Sequence, residues 1–166
     1  AGLRSKSRGF GMPLGKIRAE MRGATPKSGK QSNNYFRLHT DRCDCISLLG
    51  IRTAAAGGES RIASVVTIHD TMTERFPYLA RLLYKDIDRI WEGGSGVVSL
   101  PIWAREPTTG AFTTQFSPSY IENAQVVSGS RRLTEDEIEA IDLIEEIGLE
   151  HSYEFLQGPG QVSFLN

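Results

Sequence analysis

Residues 35–52 read YFRLHTDRCDCISLLGIR, and residues 56–60 follow as AGGES. The first stretch is rich in apolar and β-branched residues and the second is a Gly-rich turn, so together they predict a strand, a turn and a second strand over Arg61 to Ile68 (RIASVVTI). Within the first stretch His39 and Asp41 stand two apart. In extended backbone alternate side chains share a face, so an imidazole and a carboxylate can converge above the strand end. Such a pair supplies two of the three groups of a 2-His-1-carboxylate iron site. Alone, it also reads as a His and an Asp facing solvent. Cys43 and Cys45 continue the alternation and raise a zinc reading. Extended backbone puts Cys43 about 13 Å from His39, whereas zinc donors lie about 2.0–2.3 Å from the metal, so buried thiols are expected instead. Their Cα atoms, about 6.5–7 Å apart on a strand, sit at or beyond the usual disulfide limit. Free thiols and a reducing, cytoplasmic setting follow as the expectation.

Upstream, residues 1–34 are rich in Gly, Ser, Lys and Arg, and Pro13 and Pro26 interrupt any long helix. This basic segment reads largely as loop, with a short helix around Gly15 to Met21. Downstream the period changes. Met72, Phe76, Leu79, Leu82 and Leu83 share a helical face between His69 and Tyr84, Thr71 and Glu74 have capping-box spacing, and Pro77 starts a further helical turn. Gly93 to Gly96 is a turn before strands over Val97 to Trp103 and Ala111 to Ser117, with Pro107 to Gly110 as a hairpin-like loop. Thr134 to Ile147 is the clearest helix. Thr134 and Glu137 form a capping box, Ile138, Ile141, Leu143, Ile144 and Ile147 make an apolar stripe, and Gly148 is the expected stop. Tyr153 to Leu156, a Gly158 to Gly160 turn and an apolar core strand over Val162 to Leu165 complete the pattern.

A chain of 166 residues, 39% hydrophobic and 23% charged with net charge −1, suits one globular domain rather than a disordered chain. No apolar run approaches the roughly 18–20 residues of a membrane span. The near-zero charge conceals a split. Residues 1–44 hold ten basic and three acidic side chains (+7), and the remainder carries −8. The basic residues have few aromatic neighbours for stacking on bases, which favours a solvated arm, or one facing an anionic ligand, over a nucleic-acid partner. The sequence leaves room for a homo-oligomer.

The run Phe36-Arg37-Leu38-His39-Thr40-Asp41-Arg42-Cys43-Asp44, then Ala56-Gly57-Gly58-Glu59-Ser60, then Ser117-Pro118-Ser119-Tyr120-Ile121-Glu122, resembles the TauD/TfdA (taurine dioxygenase-like) family of iron(II)- and 2-oxoglutarate-dependent dioxygenases. The resemblance is strongest from Tyr35 to Asn166. It implies an α+β fold built on a double-stranded β-helix (a jelly roll, cupin-like) with helices outside, incomplete here, and residues 35–166 as part of the catalytic domain. It implies His39 and Asp41 as catalytic iron ligands. Ser60, otherwise a turn residue, becomes a hydroxyl that binds the 2-oxoglutarate carboxylate, aimed by Gly57 and Gly58. The cofactors implied are Fe(II), 2-oxoglutarate and O2, and the partner is a small organic substrate, often anionic in this family. Phe164-Leu165-Asn166 resembles the strand leading to the family's distal His and 2-oxoglutarate-binding Arg, so the chain is expected to be a fragment, inactive alone. His69 and His151 do not match that distal position, and Gly160-Gln161 departs from the family's usual Gly-Asp.

Trp91, Trp103 and Phe112 read as core more readily than as pocket lining, and Tyr120 either reaches the site or makes a structural hydrogen bond. Two other functions compete with the dioxygenase. One is a catalytically dead jelly-roll binding or scaffold protein, and the other a metal-assisted hydrolase with a different ligand set.

Overall fold

The computed structural model describes residues 17, 35–43, 45–90 and 96–165. The chain divides into two units, Ala1–Arg37 and Leu38–Asn166, and every element below lies in the second. The expected helix near Gly15, the Gly93 to Ser95 part of the turn and Trp91 fall outside the described residues.

Among the described residues the order is β1 (Ile46–Leu49), β2 (Ser60–Ile62), α1 (Val65–Arg75), α2 (Pro77–Leu82), β3 (Ile87–Ile90), β4 (Val97–Leu100), β5 (Trp103–Arg105), β6 (Phe112–Thr114), α3 (Pro118–Ala124), α4 (Glu135–Glu150), β7 (Tyr153–Phe155) and β8 (Val162–Leu165). The strands form four antiparallel two-stranded ladders. β1 pairs with β8, Ile46 opposite Leu165, and inside that pair β2 meets β7, Ser60 opposite Phe155. The other two ladders, β3–β4 and β5–β6, join strands adjacent in the chain. The mixed α+β content matches expectation. No closed barrel forms among the described residues.

The strand expected over Val97 to Trp103 is split into β4 and β5 at Pro101, which has no N–H for a ladder bond, and the one expected over Arg61 to Ile68 ends at Ile62. Val65 to Ile68 is helical, because the Ser64 hydroxyl accepts the Thr67 N–H (3.3 Å) and starts α1 there. Ile68 and Met72, four apart, then face the core, and this packing outweighs β propensity. Thr71 lies inside α1 and therefore caps nothing. Pro77 does begin α2, where its missing N–H costs no helical bond.

The core joins α1, α2 and α4 to the inner hairpins through Met72, Leu83, Ile87, Ile102, Trp103, Phe116, Ile121, Ile144 and Ile147. Trp103 is buried and Phe112 packs against the cluster, so both belong to the core as read from sequence. β8 does not. Phe164 and Val162 are 73% and 51% exposed, so the apolar terminal strand is not a core strand as expected from its composition. The hairpin over Pro107 to Gly110 is present, with Gly110 at φ +71°. The Glu106 carboxylate accepts the Thr108 and Thr109 amides there. Its bonds to Thr109, then Thr108, hold its pKa down at about 2.

In α4 the Thr134–Glu137 capping box forms in both directions. Glu137 also receives a two-pronged bond from Arg131 (2.8 and 3.1 Å), whose own N–H donates to Asp88 of β3 (2.7 Å). The expected stripe is rotated. Ile138 is 47% exposed while Glu137 and Ala140 are buried, because Arg131 compensates a carboxylate on the inner face. Gly148 does not stop the helix, which continues to Glu150. A Cβ at Gly148 would lie 2.7 Å from Leu38 Cδ1 and 3.3 Å from Ile68 Cδ1, so this glycine admits a close neighbour. No described helix is long and apolar enough to cross a membrane.

Burial pushes the Glu137 carboxyl up, and the bonds from Arg131 and Thr134 more than offset it, leaving its pKa below the ordinary value. Its stabilisation is therefore present above the unfolded-state pKa and lost as pH falls through the folded one. Glu137→Gln is expected to cost about 1–3 kcal/mol at neutral pH. Urea melts should show this gap at pH 7 and show it narrowing in acid as the wild-type carboxylate protonates.

Candidate active site

His39, Thr40 and Asp41 lie outside any strand, since β1 begins only at Ile46 and the chain bends at Arg42 and Cys43. The reason is that Thr40 bonds to a partner far along the chain. Its N–H donates to the Phe116 carbonyl (2.8 Å), and the Phe116 N–H donates to Thr40 Oγ1 (2.8 Å). The hydroxyl also reaches the Phe116 carbonyl at 3.4 Å. With the half-buried middle residue latched in this way, His39 and Asp41 on either side are exposed.

Behind the latch, Arg89 of β3 is fully buried. Burial, with repulsion from Arg42 and an opposing pull from Asp86, brings its pKa down to about 10, so it stays cationic at neutral pH. The Arg42 guanidinium lies over the Tyr120 ring, 5.7 Å from its centroid. Tyr120, on α3, is thus brought beside the residue that follows Asp41.

Ser60 enters from a different ladder. It opens β2, half-buried, directly after Gly57 and Gly58 at φ +70° and +88°, values that favour glycine. The departure at Gly160-Gln161 leaves its turn intact. Gln161 Oε1 accepts the Gly158 N–H (2.6 Å), and Gly160 has φ +80°.

The remaining histidines have other contacts. His69 lies in α1, with Nδ1 2.8 Å from Asp70 Oδ1 and Nε2 2.8 Å from the Tyr84 hydroxyl. Its ring sits against Trp103 and Phe112, at centroid distances of 5.0 and 4.7 Å. A neutral imidazole satisfies this arrangement by donating to the carboxylate and accepting from the phenol. His151 caps α4, its N–H directed at the Ile147 and Leu149 carbonyls. Cys43 and Cys45 are free, as expected, but exposed rather than buried. Among the described residues no three His, Cys, Asp or Glu side chains are grouped to hold a metal ion.

The latch has no local sequence signature, because its partner is a backbone group 76 positions away. Arg89 had one. In Ile87-Asp88-Arg89-Ile90 it alternates onto the face of buried Ile87.

The family model for taurine catabolism dioxygenase TauD, TfdA family, matches residues 7–166. The chain belongs to this family. It is also similar to the FR-33289 synthase of Streptomyces rubellomurinus (strain ATCC 31215), with 30% identity over 123 residues, 72% of this chain and 36% of that protein. The chain thus spans about a third of the length of this curated relative. In this TauD/TfdA family member Thr40 bonds to Phe116, just before the block at 117–122, and Arg42 lies over Tyr120 within that block.

Thr40→Val keeps the shape of the side chain but removes both hydroxyl bonds, leaving the Phe116 N–H without its acceptor. The expected loss is about 1–3 kcal/mol in denaturant melts, with Thr40→Ser recovering most of it.

Proposed function

We propose that the whole protein is an iron(II)- and 2-oxoglutarate-dependent dioxygenase that hydroxylates a small organic substrate. The family match over residues 7–166 carries the reading. The exposed His39 and Asp41 on either side of latched Thr40 support it. One imidazole and one carboxylate suit ferrous iron, and a third protein ligand is left to residues outside those described. The nested β1–β8 and β2–β7 ladders support residues 35–166 as part of a jelly-roll domain, with 1–34 as a basic segment before it.

In this reading His39 donates a ring nitrogen and Asp41 a carboxylate oxygen to the metal. The Ser60 hydroxyl donates a hydrogen bond to a carboxylate of 2-oxoglutarate, held in place by the Gly57-Gly58 turn. Iron bound there would supply the oxygen chemistry that couples 2-oxoglutarate decarboxylation to hydroxylation.

Iron-dependent release of succinate from 2-oxoglutarate by the full-length gene product tests this. His39→Ala and Asp41→Ala are expected to lower it at least 100-fold, and Ser60→Ala to raise the KM for 2-oxoglutarate about tenfold, the value of one hydrogen bond to a charged group. Wild-type rates in both ligand variants would remove His39 and Asp41 from the iron site. A folded protein that consumes no 2-oxoglutarate would favour the scaffold reading.

A further inference from the structure

Arg89 is the largest fully buried side chain among the described residues. Its Nη1 donates to the Gln115 carbonyl (2.8 Å) and its Nη2 to the Leu100 carbonyl (2.6 Å), while Nε has no partner. Among the described residues no carboxylate forms an ion pair with it. Burying a cation with only neutral acceptors is unfavourable, and an apolar side chain of similar volume would often serve stability as well or better. Arg89 therefore calls for a role that a methionine could not fill.

The Gln115 carbonyl that accepts from Arg89 belongs to the same peptide unit as the Phe116 N–H that donates to Thr40 Oγ1. A cationic donor on the oxygen of an amide draws electron density from its nitrogen and makes the N–H a stronger donor. The neighbouring Thr114–Gln115 peptide unit is anchored as well, since the Gln115 N–H donates to the Ile102 carbonyl (2.8 Å). The forked guanidinium joins it to Leu100 at the end of β4 as well, a geometry that a point-charge ammonium does not reproduce.

We infer that Arg89 is a positioning residue for the His39-Thr40-Asp41 segment, acting through the Gln115–Phe116 peptide unit that it orients and polarises towards Thr40. Its consequence for metal binding rests on the function proposed above, but the hydrogen-bond relay itself does not.

Amide hydrogen exchange in the metal-free, full-length protein reads the relay directly. In Arg89→Met the Phe116 amide is expected to exchange about tenfold faster or more, with the α4 core amide of Ile144 unchanged. Arg89→Lys, which keeps a charge but lacks the fork, should lie between. Thr40→Val should reproduce the effect, and adding Arg89→Met to it should accelerate Phe116 little further, since both act on one bond. Cobalt(II) titration of the same proteins, followed by visible absorption, is expected to show three- to tenfold weaker binding in Arg89→Met and Thr40→Val. Unchanged Phe116 exchange, equal acceleration at Ile144 and Phe116 in both Arg89 variants, or additive effects in the double variant would each overturn the inference. Failure of the wild type to bind cobalt would count against the iron reading, and amide exchange would still decide the relay.

Discussion

One peptide unit, Gln115–Phe116, carries much of what positions the candidate site. Its N–H is bonded to Thr40 and its carbonyl to the buried guanidinium of Arg89. Remove these bonds and the segment bearing His39 and Asp41, which no strand pairing holds, loses one of its two short bonds to Phe116 and keeps the one from the Thr40 N–H. A segment without ladder bonds must satisfy its backbone elsewhere, and Thr40 does so with its own N–H and hydroxyl. The flanking side chains are left exposed.

That peptide unit is held by a helical layer. α4 packs on α1 and α2 through Ile141, Ile144 and Ile147, and its N-terminus is tied to β3 by the Arg131 bridge between Glu137 and Asp88. β3 carries Arg89. Gly148, on the same helix, admits Leu38, the residue before His39. The site segment is thus set from two sides, by apolar contact of Leu38 and by polar contact of Thr40. The nested outer ladders contribute little to this core, and their exposed Leu49, Val162 and Phe164 present an apolar face to solvent.

Local signals in the sequence were reliable where neighbours within about four residues decide the outcome. The Thr134–Glu137 capping box, Pro77 at a helix start, and the hairpin closed by Gly110 are of this kind. They failed where a distant group competes. Val65 to Ile68 is β-branched yet helical because Ser64 caps it and the core receives Ile68 and Met72. Gly148 resembled a helix stop because glycine usually leaves the helix there, but close packing against Leu38 and Ile68 accounts for it. Ile138 and Glu137 exchange their expected places because an arginine six residues upstream neutralises the carboxylate.

The sequence by itself determined the family, read from blocks at residues 36–44, 56–60 and 117–122, and the family model matches residues 7–166. It also marked which side chains could do chemistry, since imidazole and carboxylate are recognisable wherever they stand. Tertiary structure alone decided how the His39-Thr40-Asp41 segment is held, and which buried cation backs it. These features depend on a backbone group 76 residues away, and a peptide N–H or carbonyl is the same at every position, so no residue type announces which one will arrive.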